Sequence, residues 1–139
     1  MKRYFLFLTI GLLSLAQAGL SRGPVIGKLE PAAVEVAILT DGNAPRASDP
    51  LKIYGKNFRR GCVAELGGRK MATTFVSEAE LRATIDWGHL NKLKWASQKP
   101  APSEPQRSSI RVYRLRILCP GQAASKSADF AVTVSTMGG

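Results

Sequence analysis

From Pro24 onward the chain is built of short runs in which apolar and polar residues alternate, each closed by turn chemistry. Pro24–Leu29 reads as an extended opening, ended by Glu30-Pro31. Val34–Leu39 is apolar and β-branched, then Thr40-Asp41-Gly42-Asn43 turns the chain into a loop reaching Pro50. Leu51-Lys52-Ile53-Tyr54 alternates and stops at Gly55, and Gly61–Leu66 alternates and stops at Gly67-Gly68. Thr73–Val76 and Leu81–Ile85 are two more short runs. Ser109–Cys119 is the longest and ends at Pro120-Gly121, and Phe130–Val134 is the last. A period of two puts successive side chains on opposite faces of a strand, so seven or eight such runs predict an antiparallel β-sandwich. Helix signals are confined to Glu78-Ala79-Glu80-Leu81, enough for one turn, and to Gly88–Ala96, where Leu90, Leu93 and Trp87 stand at helical spacing. The prolines of Pro100–Pro105 require extended loop.

Strand phase places the two cysteines. Cys62, Ala64 and Leu66 share one face of their run, with Val63 and Glu65 on the other. In the long run, Leu115, Ile117 and Cys119 share the apolar face, and Arg114, Arg116 and Leu118 the opposite one. Both cysteines therefore point inward. The first half of that run has the other parity, with Ile110 and Val112 apolar, which predicts either a bulge near Tyr113-Arg114 or a different neighbour for half the strand.

The first residues do not fit the alternating pattern. Lys2 and Arg3 precede an apolar stretch from Tyr4 to Leu15, and Ala16-Gln17-Ala18 is a small-x-small cleavage site. This is the layout of a secretory leader, too short for a membrane span of roughly 20 residues. Met1–Ala18 is therefore expected to be a cleaved Sec-type bacterial signal, leaving residues 19–139 as one domain in the periplasm or outside the cell. Cleavage lowers the formal net charge from +10 to about +8, because Lys2 and Arg3 leave. A balance that basic favours anionic partners, such as an acidic protein, a membrane surface, an envelope polymer or nucleic acid, the plain alternative being that the charge serves solubility alone. Export also changes the meaning of Cys62 and Cys119, since an oxidising compartment favours a disulfide over the alternative of two buried thiols.

Several ordered segments resemble the IPT/TIG domain family. Pro24-Val25-Ile26-Gly27-Lys28-Leu29-Glu30-Pro31 is similar to the family's extended opening. Leu51-Lys52-Ile53-Tyr54-Gly55-Lys56-Asn57-Phe58, followed by Gly61, is similar to its apolar strand running into Gly-x-Asn-Phe. Val63-Ala64-Glu65-Leu66-Gly67-Gly68, Thr73–Ser77, Leu81–Ile85 and the valine-bearing strand into Pro120-Gly121 follow in the family's order, then Phe130-Ala131-Val132. The resemblance covers most of residues 24–135. It implies an all-β, immunoglobulin-like (early-set) sandwich of about seven strands that acts as an interaction or spacer module. It also implies that the strands holding Cys62 and Cys119 are neighbours in one sheet. Gly55 is expected to permit a turn, Asn57 to satisfy local backbone groups, and Phe58 to plug one end of the core. Two segments depart from the family pattern: Val34–Leu39, expected as an extra edge strand, and a long insertion at residues 87–107.

Catalytic chemistry is not apparent. His89 is the single histidine, Gly67-Gly68-Arg69-Lys70 lacks phosphate-loop spacing, and no acidic loop resembles a calcium site. Two cysteines and one histidine make a poor metal site, so no metal or cofactor is expected and the protein is read as a non-enzyme. Binding candidates are Trp87, Lys92, Lys94, Trp95 and Lys99 in the insertion, where indoles and cations can hold anionic or sugar ligands. The competing reading is that Trp87 and Trp95 fold the insertion back onto the sandwich. Arg111, Arg114 and Arg116, with Arg59 and Arg60 in a loop, form a second basic group, whose plain alternative is a solvated face that blocks edge association. Together with the leader, the resemblance implies a non-catalytic secreted or periplasmic interaction module that joins a protein assembly or a cell-surface structure. Binding of an envelope glycan or polyanion is the alternative, and genomic DNA is disfavoured by the leader.

Overall fold

A computed structural model of the chain describes residues 22–38, 48–102 and 107–137. The expected leader Met1–Ala18 and the turn Thr40–Asn43 lie outside these residues.

Among the described residues, ten strands follow one another: β1 Val25–Glu30, β2 Ala33–Ile38, β3 Ser48–Lys56, β4 Val63–Leu66, β5 Arg69–Lys70, β6 Ala72–Ser77, β7 Glu80–Asp86, β8 Trp95–Pro100, β9 Ser108–Leu118 and β10 Ala128–Thr136. They form an immunoglobulin-like sandwich of two sheets. One has the order β1-β3-β7-β6, and the other β2-β10-β9-β4-β5, with β8 also paired to β9. The alternating runs of the sequence become half-buried strands. In β7, Leu81, Ala83 and Ile85 are buried and the residues between them exposed. Leu51 and Ile53 of β3 face Ala64 and Leu66 of β4, Leu115 and Ile117 of β9, and Phe130 and Val132 of β10 within one core cluster.

Two expectations change. The sandwich is not antiparallel throughout, and the count exceeds seven. β1 pairs with β3 in the first sheet, the chain bends at Pro31-Ala32, and β2 continues into the second sheet parallel to β10. Val34–Leu39 was expected as an extra edge strand, and β2 is one. Glu78-Ala79 forms a turn that leads directly into β7, not a helical turn, because Glu80 already pairs with Tyr54.

The Gly-x-Asn-Phe segment divides its labour differently from the expectation. A Cβ at Gly55 would stand 1.9 Å from the carbonyl oxygen of Val25 and 2.7 Å from the Phe58 ring, so Gly55 is required by close approach of β1. The left-handed backbone falls on Asn57 instead, at φ 64°, and its Nδ2 donates to the Gly23 carbonyl at 3.2 Å. Phe58 is 1 % exposed and closes the core at this end, as expected.

β9 explains the parity change. It pairs with β10 in unbroken register from Ser108 to Leu115, so β9 carries no bulge near Tyr113-Arg114. Its other edge changes neighbour: β4 occupies Leu115–Leu118 and β8 occupies Ser109–Tyr113. The register irregularity sits on β8, between Trp95 and Ser97. The disulfide Cys62–Cys119 joins the leading end of β4 to the trailing end of β9, whose adjacent residues Val63 and Leu118 are register partners.

Candidate interaction groove

The site is built on the junction where β4 hands the edge of β9 to β8. β4 stops at Leu66 because Gly67 and Gly68 both take positive φ, 56° and 86°. Gly67 N–H donates to the Arg114 carbonyl at 3.0 Å, and Lys94 N–H donates to the Gly67 carbonyl at 2.9 Å. A Cβ on Gly67 would stand 2.9 Å from the Lys94 oxygen and 3.1 Å from the Leu93 side chain. The glycine therefore lets the insertion dock end to end with β4. The described part of the insertion forms a 3-10 helix at Trp87–Lys92, shorter than the Gly88–Ala96 helix expected, followed by β8.

Over this junction, on the outer face of the larger sheet, lies an open groove of about 450 Å³ lined by Glu65, Lys94, Trp95, Arg114, Arg116 and Ser127 beside the glycine backbone. Arg116 and Glu65 are cross-strand partners, and Arg116 Nε donates to Glu65 Oε1 at 2.6 Å. That pair holds one cation in place and leaves the lining with a positive balance. Trp95 is 44 % exposed, and Arg111 stacks on its ring 4.5 Å from the centroid. The arrangement offers three cations and an indole to an acidic or amphipathic group. It presents no nucleophile with a base.

The two basic groups expected from the sequence thus merge in part. Lys94 and Trp95 come from the insertion, Arg114 and Arg116 from the stripe. Trp87 is not available: it is 1 % exposed in the core, and its Nε1 donates to Asp49 Oδ2 at 2.7 Å. It folds the insertion back onto the sandwich. Lys92 and Lys99 are exposed, the first on the 3-10 helix and the second in β8 opposite Ile110, and neither lines the groove. Arg111 belongs to the other parity of β9, opposite Gln98 and Val132, and leaves the stripe. Arg59 Nη2 donates to the Pro120 carbonyl at 2.6 Å, while Arg60 lies 5.3 Å from the Phe75 centroid. Glu65 and Ser127 were not singled out from the sequence. Glu65 was legible, because its outward phase, shared with Val63, matches that of Arg116 once the two strands pair.

His89 lies on the 3-10 helix, away from the groove, with Nδ1 2.7 Å from Asp86 Oδ2. That hydrogen bond and the one Gly88 N–H donates to Oδ1 hold the Asp86 carboxyl below its ordinary range. A depressed folded-state value means that the contact's stabilisation is present above the unfolded-state value and is lost as pH falls through the folded one. In a carboxyl-carbon NMR titration, Asp86 is expected to titrate below the ordinary aspartate range. In His89→Ala its midpoint should move up; an unmoved midpoint would show that His89 does not set it.

No family model matches the sequence, and the curated proteins contain no significant match. Among solved structures, the chain is similar to the solution structure of the TIG domain from human nuclear factor of activated T-cells, cytoplasmic 4. The TM-score is 0.51 at 14 % identity, covering 86 % of this chain and 93 % of that one. A likeness at that identity establishes the fold, an IPT/TIG-like immunoglobulin sandwich.

Proposed function

We propose that this IPT/TIG-like sandwich is an exported, non-catalytic interaction module that receives an acidic segment of a protein partner in the Lys94–Trp95–Arg114–Arg116 groove. The observation that carries the reading is convergence: residues from two distant stretches of chain meet in one open, net-positive groove with a half-exposed indole. Cations at such an exposed site steer and select an acidic partner more than they hold it, so the indole contributes the apolar contact. Export is supported by the leader pattern of Met1–Ala18 and by the Cys62–Cys119 bridge, which suits an oxidising compartment. Periplasm or cell surface is the proposed location.

The half-exposed Trp95 ring favours a second reading, an acidic envelope glycan stacked on the indole. A pull-down from envelope extract separates the two. The protein reading expects a protease-sensitive partner, captured at low ionic strength and largely released near ~0.5 M salt, where the Debye length falls to a few ångströms. Lys94→Glu/Arg114→Glu should abolish capture. A captured species that resists protease and carries uronate or sulfate would favour the glycan. Capture unaffected by the charge reversals would contradict the groove under either reading.

A further inference from the structure

The groove proposed for an acidic segment carries an acid of its own, Glu65. A carboxylate there opposes an anionic ligand, yet the fold sets it in place firmly. On β4 it stands between Lys70 of β5 and Arg116 of β9, its register partners on either side. Arg116 Nε donates to Glu65 Oε1 at 2.6 Å, and the Glu65 side chain is 13 % exposed against 46 % for Arg116. The carboxylate is therefore largely covered, while the arginine keeps further N–H donors open to the groove.

This pair acts differently on two kinds of anion. A single carboxylate can sit against the outer donors of Arg116, whose guanidinium Glu65 has already oriented. For such a ligand the orientation that Glu65 gives offsets the repulsion it adds. A polyanion charged on every unit has no such freedom. Arg114 and Arg116 share one face of β9, so a chain that lays its charges on both sets one of them beside Glu65. Like charges brought together in this way disfavour the wrong partner. Arg116 is also balanced in part before the polyanion arrives, so it has less charge to offer.

We infer that Glu65 is a specificity-determining residue of the groove: it excludes densely charged polyanions, such as a nucleic-acid backbone, and admits a segment whose acidic residues are spaced apart. The inference rests on the protein-partner reading of the groove and concerns which acidic chains that groove takes.

The test compares two fluorescent probes by anisotropy with the full chain: a peptide whose acidic residues are separated by apolar ones, and an oligothymidylate as the polyanion. Glu65→Gln should tighten oligothymidylate binding about tenfold and change peptide binding less than about threefold. For the oligothymidylate, the plot of log affinity against log salt should steepen by about 0.7, the increment for one further phosphate neutralised on a single strand, because Arg116 is then free to take it. Glu65→Asp, which keeps the charge, should exclude the oligothymidylate as the unaltered protein does. Glu65→Thr, a residue suited to a strand, repeats the charge removal should glutamine disturb folding. An oligothymidylate affinity or salt slope unmoved by removal of the charge would overturn the inference, as would a peptide that gains as much as the oligothymidylate. If the peptide binds neither the unaltered protein nor Glu65→Gln, the acidic-segment reading falls, while the oligothymidylate comparison still decides whether Glu65 excludes polyanions.

Discussion

Opening the Cys62–Cys119 bridge is expected to lower the unfolding free energy by about 4 kcal/mol, on the chain-entropy estimate for a loop of 57 residues. The bond ties β4 to β9 across a sequence separation that takes in β5 to β8 and the whole insertion. Without it, the unfolded chain regains that loop freedom. Both cysteines are nearly buried, 3 % and 6 % exposed, so reduction also leaves two thiols in a site shaped for a bond. A small domain is typically stable by about 5–15 kcal/mol, so the reduced protein should be marginal or unfolded at 37 °C. Urea unfolding with and without reductant measures this, with Cys62→Ser/Cys119→Ser as the covalent control. An unchanged midpoint would show that the loop is already restrained in the unfolded state.

Phe58→Ala is expected to cost about 3–5 kcal/mol, the range for deleting a buried aromatic. The ring has little scope for replacement by collapse. It lies against Gly55, whose backbone is held by β1 on one side and by an N–H donated to the Ala79 carbonyl at 3.0 Å. Phe58 itself donates its N–H to Glu78 at 3.0 Å, which fixes the turn that carries the ring. Phe58→Leu, which keeps most of the apolar volume, should cost markedly less. A loss below about 1 kcal/mol for the alanine variant would mean that the ring does not close the core in solution.

The fold was legible where the period of two and the turn residues agree. Leu81, Ala83 and Ile85 alternate in the sequence and are buried in alternation. Cys62 and Cys119 share the inward phase with their neighbours, and the sheet then brings their strands side by side. Less legible were features that depend on which strand lies next to which. β2 reads as any apolar strand, and nothing local says that it pairs in parallel with β10. Ser97–Pro100 has too few apolar residues to announce a strand, and β8 forms because β9 extends past the end of β4 and leaves an edge to fill.

The groove was legible as a list of residues but not as a place. Lys94 and Trp95 were joined to Trp87 by proximity in sequence, yet Trp87 follows β7 into the core and Trp95 opens β8 on the other sheet. Arg111 was grouped with Arg114 and Arg116 by residue type, although it stands an odd number of positions from Arg114. Phase separates it from the outer-face pair, and it packs over the Trp95 ring instead.

Lys94, Trp95, Arg114 and Arg116 are proposed to act together on an acidic segment. The direct measurement is an NMR titration of the protein with a short aspartate- and glutamate-rich peptide at low salt. Saturable shifts should concentrate at Gly67, Lys94 and the Trp95 indole. Lys94→Glu/Arg114→Glu should lower the affinity at least about tenfold, because two attractive rim charges become repulsive, while the melting temperature stays nearly constant. A Trp95 indole that does not respond, or an affinity indifferent to the two charge reversals, would contradict the account.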